Sequence, residues 1–390
     1  MTKPLHLGVL APEFPPDLGG VETYAFELCR ALAGHDIELD IFCRTHAGAE
    51  VPGARVHPLL NLDWRHDLDI IQRQPVDLWH AMNAVYGALA HSSTRPVVAS
   101  VHGNDFLRPY GLRAAMPVQV PGLWRLSDRL QPLRRELGRR WIAPRLLRHE
   151  LGGLQALVAN SHYTANALVE RHPECAERLH VAHVGVAERF FLDPIARPRE
   201  TSQPAQLVTV SRLSEPRKNL DVVLRALARL KDTQAFQYRI IGDGYQRSAL
   251  EQLTAQLGLT RQVEFLGRLS DAALHRELRS SDLFILCSSV VPGSHEGFGI
   301  VYLEANACGV PVLAARLAGA VEAVDEGVSG YFVDTPDEPS ITGALRQFLS
   351  AELHFDPARC RAHARRFPWD AVAQRCLQIY AALLAPSKGE

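Results

Sequence analysis

The sequence has no uninterrupted apolar run approaching the roughly 20 residues that a membrane-spanning helix needs. Any membrane contact is therefore expected to be peripheral. It also has no C-x-x-C pair. Its seven cysteines (Cys29, Cys43, Cys175, Cys287, Cys308, Cys360 and Cys376) are odd in number and widely spaced, which favours reduced thiols in a cytosolic protein over a disulfide frame or a zinc site. No signal peptide is expected, because Met1-Thr2-Lys3-Pro4 runs straight into a strand-like segment. A net charge of −1 argues against a dedicated nucleic-acid binder. What remains is a chain of 390 residues with ordinary globular composition, long enough for two domains with full cores.

The stretch around which the rest is organised runs from Ser288 to Pro311. Asp282 to Cys287 before it and Val310 to Leu313 after it have the length and composition of buried strands. Between them lies a strand-to-helix turn bearing Gly293, Gly297 and Gly299, followed by a helix expected over Ile300–Cys308 and closed by Gly309. Amides of Phe298, Gly299 and Ile300 at the start of that helix favour an anion. Glu296 and Glu304 bracket them. An anion cradle flanked by acids suits a ligand with both phosphate and hydroxyls, since a carboxylate accepts from vicinal hydroxyls while amides hold phosphate oxygens.

The segment Glu296-Gly-Phe-Gly-Ile-Val-Tyr-Leu-Glu304 resembles the E-x-F-G-x-x-x-x-E motif of the retaining glycosyltransferases of family 4, whose fold is called GT-B. The resemblance implies two Rossmann-like, doubly wound parallel-sheet domains facing a cleft. Strand-like runs at Leu5–Leu10, Ile37–Cys43, Val76–His80, Pro96–His102 and Ala156–Asn160, separated by helix-length segments, independently predict such a sheet in the first half. The expected division is residues 1–192 for the acceptor-side domain, 193–206 for a linker with three prolines, and 207–368 for the donor domain. The amphipathic helix at 369–390 is expected to cross back to the first domain.

In the first half, Pro15, Pro16, Gly19, Gly20 and Glu22 match the family's P-P-x-x-G-G-x-E loop, and Gly19 and Gly20 can bring backbone to phosphate or sugar. The strand ending at Val101 delivers His102 and Asp105 to the ligand side. A histidine there can donate to a sugar hydroxyl or carry a proton, and the family commonly has one contacting the donor sugar. Asp105 is a candidate for the acceptor. Residues 108–150 carry ten arginines against three acids, with Trp124 and Trp141 interleaved, and suit either an anionic bilayer surface or a solvated helical face. Ser161 is expected to cap a helix reaching Arg171. His183 or Val184 stands where relatives have proline.

In the second half, Ser211 to Asn219 fits the family's G-R-x-x-x-x-K-G pattern, with Ser211 and Asn219 in place of the two glycines. Arg212 and Lys218 are then the cations on the departing diphosphate, although Arg217 stands beside Lys218. Gly242 belongs to a G-x-G that lacks the third glycine of a dinucleotide fingerprint, and in the family this loop lines the nucleotide pocket. Leu266 and Arg268 lie in the segment whose relatives read the base. Gly319 and Glu322 resemble a further loop near the donor.

The resemblance implies transfer of a hexose from a UDP- or GDP-sugar to a glycan, lipid-linked or small-molecule acceptor, with no metal required. Glu296 and His102 are the catalytic candidates, and Glu304 is assigned to the ribose. Asp67-Leu-Asp69 has the D-x-D form that other glycosyltransferases use for a metal, but sits in a charged, helix-like stretch. A nucleotide-sugar epimerase of the same fold and a noncatalytic nucleotide-sugar sensor are the rival readings.

Overall fold

The computed structural model describes residues 3–16, 19–44, 46, 48–107, 143–192 and 203–385. Tertiary contacts divide the chain into two compact units, Met1–His183 with Trp369–Glu390, and Val184–Pro368. The division falls earlier than the expected residue 192 because the segment after His183 packs with the second unit. Val186 donates its amide to the Phe367 carbonyl at 2.9 Å. Arg361 hydrogen-bonds the Phe191 carbonyl, and Phe190 lies edge-on to His275. Of the expected linker, residues 193–202 lie outside the described residues. So does most of the arginine-rich stretch, up to residue 142.

The first unit is built on seven parallel strands: β1 (Leu5–Ala11), β2 (Ile37–Arg44), β3 (Arg55–Leu60), β4 (Leu78–Ala81), β5 (Val97–Val101), β6 (Ala156–Ala159) and β7 (Leu179–Val181). Their order is β3-β2-β1-β4-β5-β6-β7. β4, β5 and β6 are buried at every position, the signature of strands covered on both faces. The helix Gly20–Leu32 covers one face with Tyr24, Ala25, Leu28, Cys29 and Leu32, spaced three and four apart. Ser161 caps the helix His162–Arg171 by accepting from the Thr164 amide at 3.0 Å, a contact of a kind that contributes about 1 kcal/mol.

The helix Trp369–Leu384 belongs to this unit. Its Trp369 ring packs edge-on to Tyr24, and the Tyr380 hydroxyl meets His80 Nδ1 at 2.6 Å. The second unit has six parallel strands: β8 (Ala205–Val210), β9 (Phe236–Ile241), β10 (Val263–Gly267), β11 (Leu283–Leu286), β12 (Val312–Ala315) and β13 (Gly330–Val333), in the order β10-β9-β8-β11-β12-β13. Leu207, Leu224, Ile240, Ile285, Leu313 and Leu345 form part of its core.

Each sheet reverses its winding once. In the first the chain lays β2 and β3 to one side of β1 and then returns to place β4 on the other. In the second it does the same around β8, with β11. At such a switch point the loops leaving the two central strands part in opposite directions, and a crevice opens beyond their carboxyl ends. Asp67 and Asp69, the D-x-D pair, do not share a site. Asp67 is fully buried and accepts from the amides of Asn61 and Leu62, each at 3.1 Å, and from the Tyr86 hydroxyl at 2.6 Å. Asp69 pairs with Arg73 on the surface. All seven cysteines are free thiols and buried. Among the described residues no helix is long and apolar enough to cross a membrane.

Candidate functional site

The loops leaving β8 and β11 meet at the second switch point. After β8 the chain makes a short turn over Pro216–Lys218, and Asn219 then takes a left-handed conformation (φ 55°). Asparagine is among the few residues with a side chain that adopt this conformation readily, and here the side chain is used as well. Its Nδ2 donates to the Cys287 carbonyl at 2.8 Å and to Ser289 Oγ at 2.7 Å. The Ser289 amide donates to the Arg217 carbonyl at 2.7 Å. The two loops are thus laced together before any charge is considered.

Charge then concentrates at the seam. Lys218 Nζ lies 2.6 Å from Glu296 Oε2, and Arg217 Nη1 lies 3.3 Å from the same oxygen. Ser288 donates to it at 3.2 Å. Arg217 also donates from Nε to Ser294 Oγ at 2.9 Å and forms an ion pair through Nη2 with Glu215 at 2.6 Å. Glu215 in turn pairs with Arg212 at 3.0 Å. Arg217 and Lys218 are buried, whereas the Arg212 side chain is about half exposed (53%). Burial alone would push the Glu296 carboxyl up. Lys218 first and Arg217 second overcome it and hold the pKa down to about 2, so Glu296 is a carboxylate at neutral pH.

The helix Ile300–Ala307 starts at this seam. Its N-cap is Gly299, so no side chain caps the first turn. Phe298 is buried against Phe367, with ring centroids 5.7 Å apart, and Glu304 is buried farther along the helix. Gly319 packs so tightly that a Cβ there would fall 2.1 Å from the Gly297 carbonyl oxygen, and its amide donates to the Glu296 carbonyl at 3.0 Å. Gly242, at the end of β9, has φ 129°, and a Cβ would fall 1.9 Å from the Ser211 carbonyl oxygen. Glycine at both positions lets neighbouring loops close on one another. Leu266 sits at a register shift in β10, and Arg268 is exposed just beyond that strand.

At the first switch point, Gly19 precedes the helix that Gly20 opens, and the Glu22 carboxylate folds back over Gly19. Pro15-Pro16 is a cis peptide bond. His102 follows β5. Its Nε2 donates to the Met82 carbonyl at 2.9 Å, so any role toward a ligand falls to Nδ1. The Tyr24 ring meets its ring edge-on at 4.5 Å. Asp105, the candidate for the acceptor, lies buried at the start of the next short helix. Its carboxylate turns inward and accepts from the amides of His102 (3.0 Å), Gly103 (2.9 Å) and Ala84 (3.3 Å), which makes it the anchor of the loop that presents His102.

Residues 18–189 match the family model described as Glycosyltransferase Family 4, and residues 195–367 match Glycosyl transferases group 1. The D-inositol 3-phosphate glycosyltransferase of Thermobispora bispora is 30% identical over 97% of this chain and 93% of its own length. The chain belongs to the family 4 glycosyltransferases. The enzyme of the same name from a Nocardioides species is 28% identical over 96% of this chain and 88% of its own. Two solved structures confirm the fold of this family 4 enzyme as GT-B. Sucrose-phosphate synthase from Thermosynechococcus elongatus has a TM-score of 0.74 at 18% identity over 98% of this chain and 99% of its own. Anabaena HepE in complex with UDP and glucose has a TM-score of 0.72 at 19% identity over 96% and 99%.

Within this glycosyltransferase the motif residues from the β8 and β11 loops, Arg212, Lys218 and Glu296, are gathered in one cluster. Sequence reasoning did not foresee the other members. Glu215, Ser288 and Ser294 carry no motif signal, and Arg217 was visible only as a second cation beside Lys218.

Proposed function

We propose that this glycosyltransferase moves a hexose from a nucleoside diphosphate sugar to an acceptor hydroxyl with retention of anomeric configuration. The observation that carries the reading is the junction of Lys218, Arg217 and Glu296 beside an uncapped helix start at a sheet switch point. Lys218, with Arg212, meets the diphosphate, and amides of Phe298, Gly299 and Ile300 hold phosphate and sugar oxygens. As the glycosidic bond breaks, negative charge grows on the leaving diphosphate, and fixed cations and amides stabilise that charge without reorganising. The chain's own cations carry it, and no metal is required.

Glu296 accepts from hydroxyls of the transferred sugar, and Glu304 from the ribose diol. Gly242, Leu266 and Arg268 flank the base. Gly19 and Gly20 bring backbone to the donor, and His102 acts through Nδ1. The acceptor hydroxyl attacks from the face the diphosphate leaves, which preserves the configuration.

The relatives' names and a HepE complex with UDP-glucose choose the first reagents, UDP-glucose as donor and D-inositol 3-phosphate as acceptor; UDP-N-acetylglucosamine and GDP-mannose are the further donors to try. The reading expects nucleoside diphosphate release that depends on acceptor, and a product with the donor's anomeric configuration by NMR coupling. An inverted product would exclude retention. Isomerised donor in the absence of acceptor would favour an epimerase.

A further inference from the structure

The transferase reading treats Lys218 and Arg217 as neighbours of one carboxylate, yet the two cations are built in differently. Among the described residues the Lys218 ammonium meets one carboxylate oxygen, Glu296 Oε2. An ammonium has three donors on a flexible stem, so it can turn from a carboxylate to a phosphate without dismantling anything else. Arg217 is fixed on three sides. Nε donates to Ser294, Nη1 to Glu296, and Nη2 pairs with Glu215, while its main-chain carbonyl accepts from Ser289. Only 6% of its side-chain surface is exposed. Swinging the guanidinium onto a ligand would break its bond to Ser294 Oγ and its ion pair with Glu215.

This asymmetry has a consequence for Glu296. A diphosphate that takes Lys218 removes the nearer of the two cations holding that carboxylate. Arg217 at 3.3 Å and the Ser288 hydroxyl at 3.2 Å are the contacts that stay. We propose that Arg217 is a positioning residue, a brace that keeps Glu296 aimed at the transferred sugar when the donor's diphosphate takes Lys218 from it. The inference rests on the transferase reading and adds a division of labour. Lys218 exchanges its anion, and Arg217 does not.

The test compares Arg217→Gln, Arg217→Lys and Lys218→Ala, using whichever of UDP-glucose, UDP-N-acetylglucosamine and GDP-mannose the unaltered enzyme turns over. Binding of the matching nucleoside diphosphate is measured by calorimetry, and kcat and KM by product release. Arg217→Gln is expected to leave nucleotide affinity unchanged and to lower kcat about 100-fold, the scale of a displaced reacting group. Arg217→Lys, which keeps a positive charge facing Glu296, should recover part of the rate. Nucleotide affinity lost in Arg217→Gln to the extent seen in Lys218→Ala would place Arg217 on the donor and overturn the proposal, as would an unchanged kcat.

If Arg217→Gln does not fold, Ser294→Ala and Glu215→Gln each release one arm of the guanidinium. A lowered kcat at constant nucleotide affinity in these variants supports the brace, and an unchanged kcat in both overturns it. An unaltered enzyme that neither binds nor turns over any of the three donors would defeat the transferase reading instead.

Discussion

Lys218 Nζ and Glu296 Oε2 stand 2.6 Å apart, although 78 positions separate them in the chain. A cation assigned to the diphosphate and a carboxylate assigned to the sugar therefore hold each other before a donor arrives. On the proposed assignment an incoming diphosphate competes with Glu296 for the ammonium, while Arg217 and Ser288 keep their contacts with the carboxylate. On the same assignment, donor binding is coupled to sugar recognition through one side chain.

Lys218→Ala should weaken nucleoside diphosphate binding about 10- to 100-fold, the worth of a hydrogen bond to a charged group, and lower turnover with it. Calorimetry with UDP or GDP and steady-state kinetics measure both. Unchanged binding would remove Lys218 from the donor site.

Asp105→Ala should act on stability and on the His102 loop together. It leaves the amides of His102, Gly103 and Ala84 without their carboxylate acceptor. An amide left unsatisfied in a buried setting costs about 1–3 kcal/mol, so the urea midpoint should fall clearly. A variant with unaltered stability but a selectively raised KM for acceptor would return Asp105 to the acceptor role.

His80 gives the first domain a pH dependence. It is fully buried between Ser100 Oγ (2.9 Å) and the Tyr380 hydroxyl (2.6 Å), and burial, then the nearby His102, push its pKa down to about 3 from an ordinary 6.5. The unfolded chain takes up the proton first. Stability from this group is therefore complete above pH 6.5 and declines as pH falls toward 3. The slope is on the order of 1.4 kcal/mol per pH unit across that window. Urea unfolding at pH 7.5 and 5.5 should show a smaller difference for His80→Gln than for the unaltered protein. Equal differences would mean that His80 titrates alike folded and unfolded.

Much of this was legible in the chain because buried parallel strands are written as short apolar runs. β5 and β6 fall within such runs, and β1, β2 and β4 each extend one residue past theirs. The strands β3 and β7 carried no such signal. β3 is half exposed, with Arg55, His57 and Pro58 in it, and both lie at sheet edges where one side needs no apolar cover. The motif residues were legible from spacing, but their pairing was not. Nothing in the separation of Lys218 from Glu296 states that β8 and β11 are neighbours. Asp105 illustrates the limit in the other direction. An acid shortly after a strand end reads equally as a ligand contact or as an acceptor for its own loop's amides, and the amide contacts become visible only in the fold.

The central claim is that Glu296 serves the transferred sugar while cations hold the diphosphate. Glu296→Gln separates the two most directly, because it preserves side-chain shape, removes the charge and leaves Lys218 without its resident anion. Nucleoside diphosphate affinity measured by calorimetry should be retained or rise, while the rate of sugar transfer should fall about 100-fold or more. Transfer at the unaltered rate would show that the sugar is held elsewhere and would contradict the account.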